Sequence, residues 1–232
     1  MGNPPVVSQS NPWFAVSLAL MGVIIGFGIG KWRIGSFPVL VGTPPPGQIA
    51  QVPTQPPPQP QAPSQPVPSI DPTVDHIRGD LKKAQVAVIE YSDMECPFCK
   101  RVHPTYQQIM QTYGDKVVWV YRHFPLGFHA NAAKEAEATD CAAELGGNDA
   151  FWKYTDKLFE TTNSNDSLDP KELPKIAVAV GLNEAAFNTC LSSDRYAEFV
   201  TKSVEEAVKA GARGTPYSVI ITRGGKKVVI NG

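Results

Sequence analysis

The sequence predicts an α/β domain built as a βαβ unit, an all-helical insertion and a closing β-hairpin. Three observations point there. Two short apolar runs rich in β-branched residues, 84–93 and 116–124, bracket a segment with helical spacing. Residues from about 130 to 212 then show several helical segments and no convincing strand. Finally, "TPYSVIIT" and "KKVVI" are strand-like and meet across Arg223-Gly224-Gly225, a hairpin signal.

This domain occupies only part of the 232 residues. All 22 Asp and Glu fall from Asp71 onward, whereas only Lys31 and Arg33 of the 21 basic residues precede it. The domain is mildly acidic and lacks the basic stripe that nucleic acid requires. Residues 1–12 form an N-terminal tail. Residues 13–30, WFAVSLALMGVIIGFGIG, are uncharged and mostly apolar, lie between Trp13 and Trp32, and as a helix would span roughly 27 Å. No basic stretch precedes them and no small-residue cleavage site follows, which favours a retained transmembrane anchor (13–33) over a cleaved signal. Gly22, Gly26 and Gly30 share a face on which two such helices can pack. Residues 34–72 are rich in Pro and Gln and read as an extended spacer. The folded domain is expected over 73–232, with the insertion at about 129–212.

Within the domain, "AQVAVIEYSD" (84–93) reads as a buried strand. A helix starting at Pro97 follows, with Phe98, Val102, Tyr106, Ile109, Met110 and Tyr113 at helical spacing, a kink expected at Pro104 and a stop at Gly114-Asp115. "KVVWVYRHF" (116–124) is the second strand, ended by Pro125. In the insertion, Ala132 to Leu145 and Phe151 to Thr161 read as helices. Asp169 is expected as N-cap with Pro170 at the first helical position of a helix ending at Gly181. A short helix follows Asn183, and a longer one runs from about Asp194 to Ala210. A sheet connected this way needs cover on both faces, so a further helix is expected beyond the hairpin.

Between the first strand and its helix lies Cys96-Pro97-Phe98-Cys99. Cys96 falls at the helix start, where free N–H groups and the dipole favour an anion, so it is expected to be the acidic, exposed and attacking thiol. Cys99 lies one turn in. A zinc site would need four ligands, and only His103 joins the two cysteines. Covalent haem needs a His after the second cysteine, where Lys100 stands. A redox dithiol is the favoured reading over a metal site or a structural bridge, and no metal site or cofactor is expected. Glu90 interrupts the apolar strand six residues before Cys96. If buried, its pKa is raised and it can take a proton from Cys99; if it emerges at a strand edge, it is simply solvated. Thr215-Pro216 opens the strand after the insertion. It is either a cis peptide beside the dithiol, where its backbone can pair with an extended substrate, or an ordinary strand start.

From about Asp71 onward, "VIEYSDMECPFCK", "YRHFPL", the helical insertion and "GTPYSVI" together resemble the DsbA-like thiol:disulfide oxidoreductases of the thioredoxin superfamily. The resemblance implies a thioredoxin-like fold with the insertion placed before a cis-proline. It implies Cys96 as nucleophile, Cys99 as resolving cysteine, Glu90 as buried acid and Pro216 as cis-proline. Thr215, with Pro97 and Phe98 of the dithiol loop, would contact substrate. The implied partners are thiol-containing exported proteins and a quinone-coupled membrane protein that reoxidises the pair. Strongly oxidising members carry His between the cysteines; Phe98 here implies a milder oxidant. Thr before the cis-proline resembles the isomerase branch as much as the oxidase branch.

Cys141 and Cys190, 49 residues apart, read as a structural disulfide fastening two helices of the insertion, with two buried free thiols as the rival. His76, His103, His123 and His129 read as packing or surface residues, although His123 and His129 flank a loop that could approach the dithiol. An even cysteine count suits an oxidising, extracytoplasmic compartment. Lys31 and Arg33, just after the apolar segment, favour the opposite orientation. Two charges are a weak bias, and the outside is favoured. A membrane-tethered reductase, or a binding module whose dithiol is vestigial or metal-loaded, are the alternatives.

Overall fold

The computed structural model describes residues 67–231. The anchor expected over 13–33, and the spacer up to residue 66, lie outside the described residues. Among the described residues no helix is long and apolar enough to cross a membrane.

Five strands form one mixed sheet in the order β1-β3-β2-β4-β5. β2 (Val86–Ser92) and β3 (Val117–His123) run parallel at its centre and are joined by helix α1 (Pro97–Tyr113). β4 (Tyr217–Thr222) lies antiparallel along the other side of β2, and β5 (Lys227–Asn231) pairs antiparallel with β4. Gly225, at φ +81°, supplies the left-handed residue of the β4–β5 turn. β1 (His76–Arg78) was not anticipated; it pairs antiparallel with β3, His76 opposite Tyr121. Three residues are too few to show an alternating pattern.

Between β3 and β4 come four helices: α2 (Ala132–Thr161), α3 (Glu172–Ala179), α4 (Glu184–Leu191) and α5 (Ala197–Lys209). The alanine-rich and aromatic segments expected as two helices are the halves of α2, broken at Gly147 with φ +72°. Asn183 caps α4 by accepting from the Ala186 N–H at 2.9 Å. Asp169 is not the N-cap of α3. It accepts from the Lys171 N–H at 2.9 Å and so caps a turn, from which α3 departs at Glu172.

Alternation along the strands sorts the core into two faces. Val88, Trp119 and Tyr121 face α1 and the insertion, in one cluster with Tyr106, Phe151, Trp152 and Phe187. Ile89, Tyr91, Val120, Tyr217 and Val219 face the other way and cluster with Ala207, Ala210 and Val67. Part of the cover expected from a further helix thus comes from the end of α5 and from the segment preceding β1.

That segment corrects one boundary. The spacer is expected to run to residue 72, yet Val67 is buried in the second cluster. Arg122 of β3 explains the attachment. Its guanidinium donates to both Asp75 oxygens at 2.7 and 2.9 Å, to Glu206 Oε1 of α5 at 2.6 Å, and to the Ser69 carbonyl at 3.3 Å. A planar fork satisfied on every side is the form in which a buried cation is tolerated.

Candidate redox site

β2 delivers the chain to a tight turn. The Asp93 carboxylate accepts from the Glu95 N–H at 2.7 Å, and the Cys96 N–H donates to the Asp93 carbonyl at 3.2 Å. This turn leaves Cys96 in extended conformation (φ −78°, ψ 121°) as N-cap of α1, with Pro97 in the first helical turn. Proline suits that place because its missing N–H would have had no helical partner. α1 continues through the exposed Pro104 to Tyr113 and buries Cys99, His103 and Tyr106. Phe98 and Tyr113, expected on the apolar face, are exposed.

Cys96 and Cys99 are both free thiols. Cys96 is not the exposed thiol expected from its helix-start position, since only 4% of it is accessible. It opens instead into a cleft of about 320 Å³ lined by Phe98, Phe128, His129, Asn165, Arg213 and Thr215 among others. Phe98 and Phe128 form an exposed aromatic rim at 54% and 74%. The Thr215–Pro216 peptide is cis, and the Cys96 thiol donates to the Thr215 carbonyl at 3.3 Å.

The two sulfurs are electrostatically unequal. Cys96 is pulled down to about 6, first by the hydrogen bond from Cys99 and then, against the cost of burial, by the Thr215 side chain and the N–H groups of Cys99 and Phe98. Cys99 is fully buried, and burial, its bond to Cys96 and the nearby Glu90 push its thiol well up. Of the two sulfurs, Cys96 is therefore the one that ionises first.

Glu90 lies in the middle of β2, on the face that looks toward α1, and is fully buried. It does not emerge at a strand edge. Burial raises its carboxyl to about 7, against the nearby Ser92 hydroxyl and the Trp119 indole, which lower it. Trp119 Nε1 donates to Oε2 at 2.8 Å, and Oε1 has no partner. Tyr106 and Ser218 share a 2.6 Å hydrogen bond that ties α1 to β4, the strand following Pro216.

Sequence reasoning missed several groups that shape this region. Asp93 is buried; its Oδ2 accepts from the Leu126 N–H at 2.8 Å and lies 2.7 Å from His129 Nδ1. The loop flanked by His123 and His129 thus brings only His129 to the cleft. His123 turns between sheet and insertion, 3.3 Å from Asp140. Glu95 is buried and ties the loop after α2 to the dithiol, accepting from the Asp166 N–H at 2.7 Å while its carbonyl takes the Asn165 N–H at 2.8 Å. Burial and the adjacent Glu95 push the Glu135 carboxyl up to about 10. An Asp closing a strand reads as an ordinary turn former, and Glu135 as one of several charges in an alanine-rich helix. Neither leaves a one-dimensional signal of burial.

Cys141 and Cys190 are joined by a disulfide, Cα to Cα 5.8 Å, which links α2 to α4.

Comparison with known proteins gives a consistent pattern. A family model described as Thioredoxin matches residues 73–228. The crystal structure of Pseudomonas aeruginosa DsbA2 superposes with a TM-score of 0.59 at 30% identity, covering 68% of this chain and 86% of that one. Oxidised BdbD from Bacillus subtilis superposes at 0.60 with 23% identity, covering 74% of this chain and 91% of that one, a likeness of fold. In sequence the chain is similar to a Na+/H+ antiporter, NhaA 3, of Salinispora tropica: 36% identical over 148 residues, 63% of this chain and 22% of that one. A second antiporter of that name, from Mycolicibacterium gilvum, is 34% identical over 150 residues, 63% of this chain and 23% of the other. The matched stretch is thus less than a quarter of the antiporters' length.

Proposed function

The chain belongs to the thioredoxin family, and we propose from that premise that it is a DsbA-like enzyme that forms or isomerises disulfides in exported proteins. The observation that carries the reading is the inequality of the two sulfurs: an acidic Cys96 opening on a cleft, with a buried, high-pKa Cys99 behind it. A substrate thiolate attacks Cys96 Sγ of the oxidised pair, and the Cys96–Cys99 bond breaks as the mixed disulfide forms. Cys99 leaves as a thiolate and takes a proton from Glu90, whose pKa near 7 suits either direction of transfer. A second substrate thiolate attacks the substrate sulfur of the mixed disulfide and releases Cys96 as a thiolate. Two electrons have then passed from substrate to protein. The Thr215 backbone beside Cys96, held by its cis peptide to Pro216, offers pairing to an extended substrate segment, and Pro97 and Phe98 line the same cleft. A quinone-coupled membrane protein would reoxidise the pair, with the domain held outside the cytoplasm by an anchor at residues 13–33.

The test is the reduction potential of the full-length chain in glutathione buffers, paired with turnover of a reduced, unfolded substrate by the Cys96→Ser variant. A potential near −120 to −180 mV, and an inactive variant, support an oxidant or isomerase. A potential near −270 mV reverses the electron flow and makes the chain a reductase. Substrate oxidation surviving Cys96→Ser removes the dithiol from the chemistry.

A further inference from the structure

We propose that His76, His123 and Asp140 bind a divalent transition-metal cation of the zinc class at the seam between the sheet and the helical insertion. The three residues come from β1, β3 and α2, and their ligand atoms lie within 4.8 Å of one another. His76 Nε2 is 2.9 Å from Asp140 Oδ1, and His123 Nε2 is 3.3 Å from Asp140 Oδ2.

Hydrogen bonding alone leaves this cluster incomplete. Among the described residues, His123 Nε2 and Asp140 Oδ2 are buried and face each other at 3.3 Å, yet neither makes a well-formed hydrogen bond. Such orphans are few in folded proteins, and an ion is one of their standard explanations. A cation here engages His123 Nε2 and Asp140 Oδ2 together. The donor set selects the class of ion: two imidazole nitrogens and one carboxylate suit zinc and its neighbours, whereas calcium and magnesium prefer oxygen alone. Zinc holds these ligands at about 2.0–2.2 Å, so the three atoms need to draw together by no more than about 1.5 Å.

The surroundings fit the assignment. The His76 ring stacks on Phe151 with centroids 3.5 Å apart, and His123 meets Phe151 and Phe199 edge-on, so ring packing fixes the direction of both imidazoles. A surface cavity of about 430 Å³, lined by Asp75 and Asn148 among others, touches the cluster through His76. An ion held there would fasten the insertion to β1 and β3, a structural role independent of the dithiol chemistry.

The experiment uses the untagged full-length chain with Cys96–Cys99 closed as a disulfide, so that thiolates cannot coordinate. The chain has four histidines, and the other two, His103 and His129, are paired with Asp156 and Asp93. Zinc titration by calorimetry is expected to show one equivalent bound. Cobalt(II) is expected to give visible d–d bands without a thiolate charge-transfer band. Asp140→Asn and His76→Ala should each weaken binding by about tenfold or more. Wild-type protein that binds no stoichiometric zinc, or affinity unchanged in both variants, overturns the site. Should a variant not fold, the wild-type stoichiometry and cobalt spectrum decide alone.

Discussion

The indole N–H of Trp119 reaches from β3 to Glu90 Oε2 on β2, 2.8 Å away, and is the one side-chain hydrogen bond that the geometry gives this carboxyl. One donor does not compensate a fully buried carboxylate, so the group is poised to hold its proton to about pH 7. The folded value lies above the ordinary 4.5, so the native state keeps a proton that the unfolded chain has released. Glu90 therefore weakens the fold as pH rises from about 4.5 to 7, by roughly 3 kcal/mol once fully ionised. Urea unfolding of reduced wild type and Glu90→Gln at pH 4.5 and pH 8 should show the variant gaining on wild type by that order. An equal difference at both pH values would place the carboxyl in contact with water.

The asymmetry of the sulfurs predicts selective chemistry. Iodoacetamide at pH 7 should alkylate Cys96 and spare Cys99, with the pH midpoint of the Cys96 rate near 6. Peptide mapping after a short pulse reads the site directly. Equal labelling of both cysteines would mean that α1 opens easily and that the burial of Cys99 does not persist in solution.

The aromatic rim predicts a division between small and large substrates. Phe128 is 74% exposed, so Phe128→Ser should leave the melting temperature nearly unchanged. It should raise KM several-fold for a reduced unfolded protein and leave the reaction with glutathione unaltered. Equal losses with both substrates would show that the side chain acts on the dithiol itself and not on polypeptide docking.

The disulfide between α2 and α4 closes a loop of sequence separation 49. On the chain-entropy model it contributes about 4 kcal/mol, which for a domain of this size is roughly 10 °C in Tm. A Cys141→Ala/Cys190→Ala double variant measured by calorimetry should lose about that much. Loss of activity without loss of Tm would instead implicate Cys141 and Cys190 in exchange.

Much of this arrangement is legible in one dimension because its decisive signals are local. The β-branched runs around Val88 and Val120, the proline after Cys96 and the Asn183 cap each act within a few residues of themselves. What is not legible is long-range. Asp93 meets His129 across 36 residues and Arg122 meets Glu206 across 84, and nothing in either neighbourhood announces its partner. Burial of Cys96 escapes for the same reason, since the loop that covers it arrives from Thr215, 119 residues on. The three-residue β1 escapes because its pairing with β3 is held by neighbours rather than by its own composition.

The grip of Arg122 on the residues ahead of β1 has a mechanical meaning. One guanidinium of β3 holds Ser69, Asp75 and α5 at once. A pull on the chain at Val67 is therefore loaded onto β3, an interior strand hydrogen-bonded on both sides, before it reaches the short outer strand β1. Force then meets the sheet through an interior strand, next to the β2 that leads into the dithiol, and not through the three-residue strand at its edge.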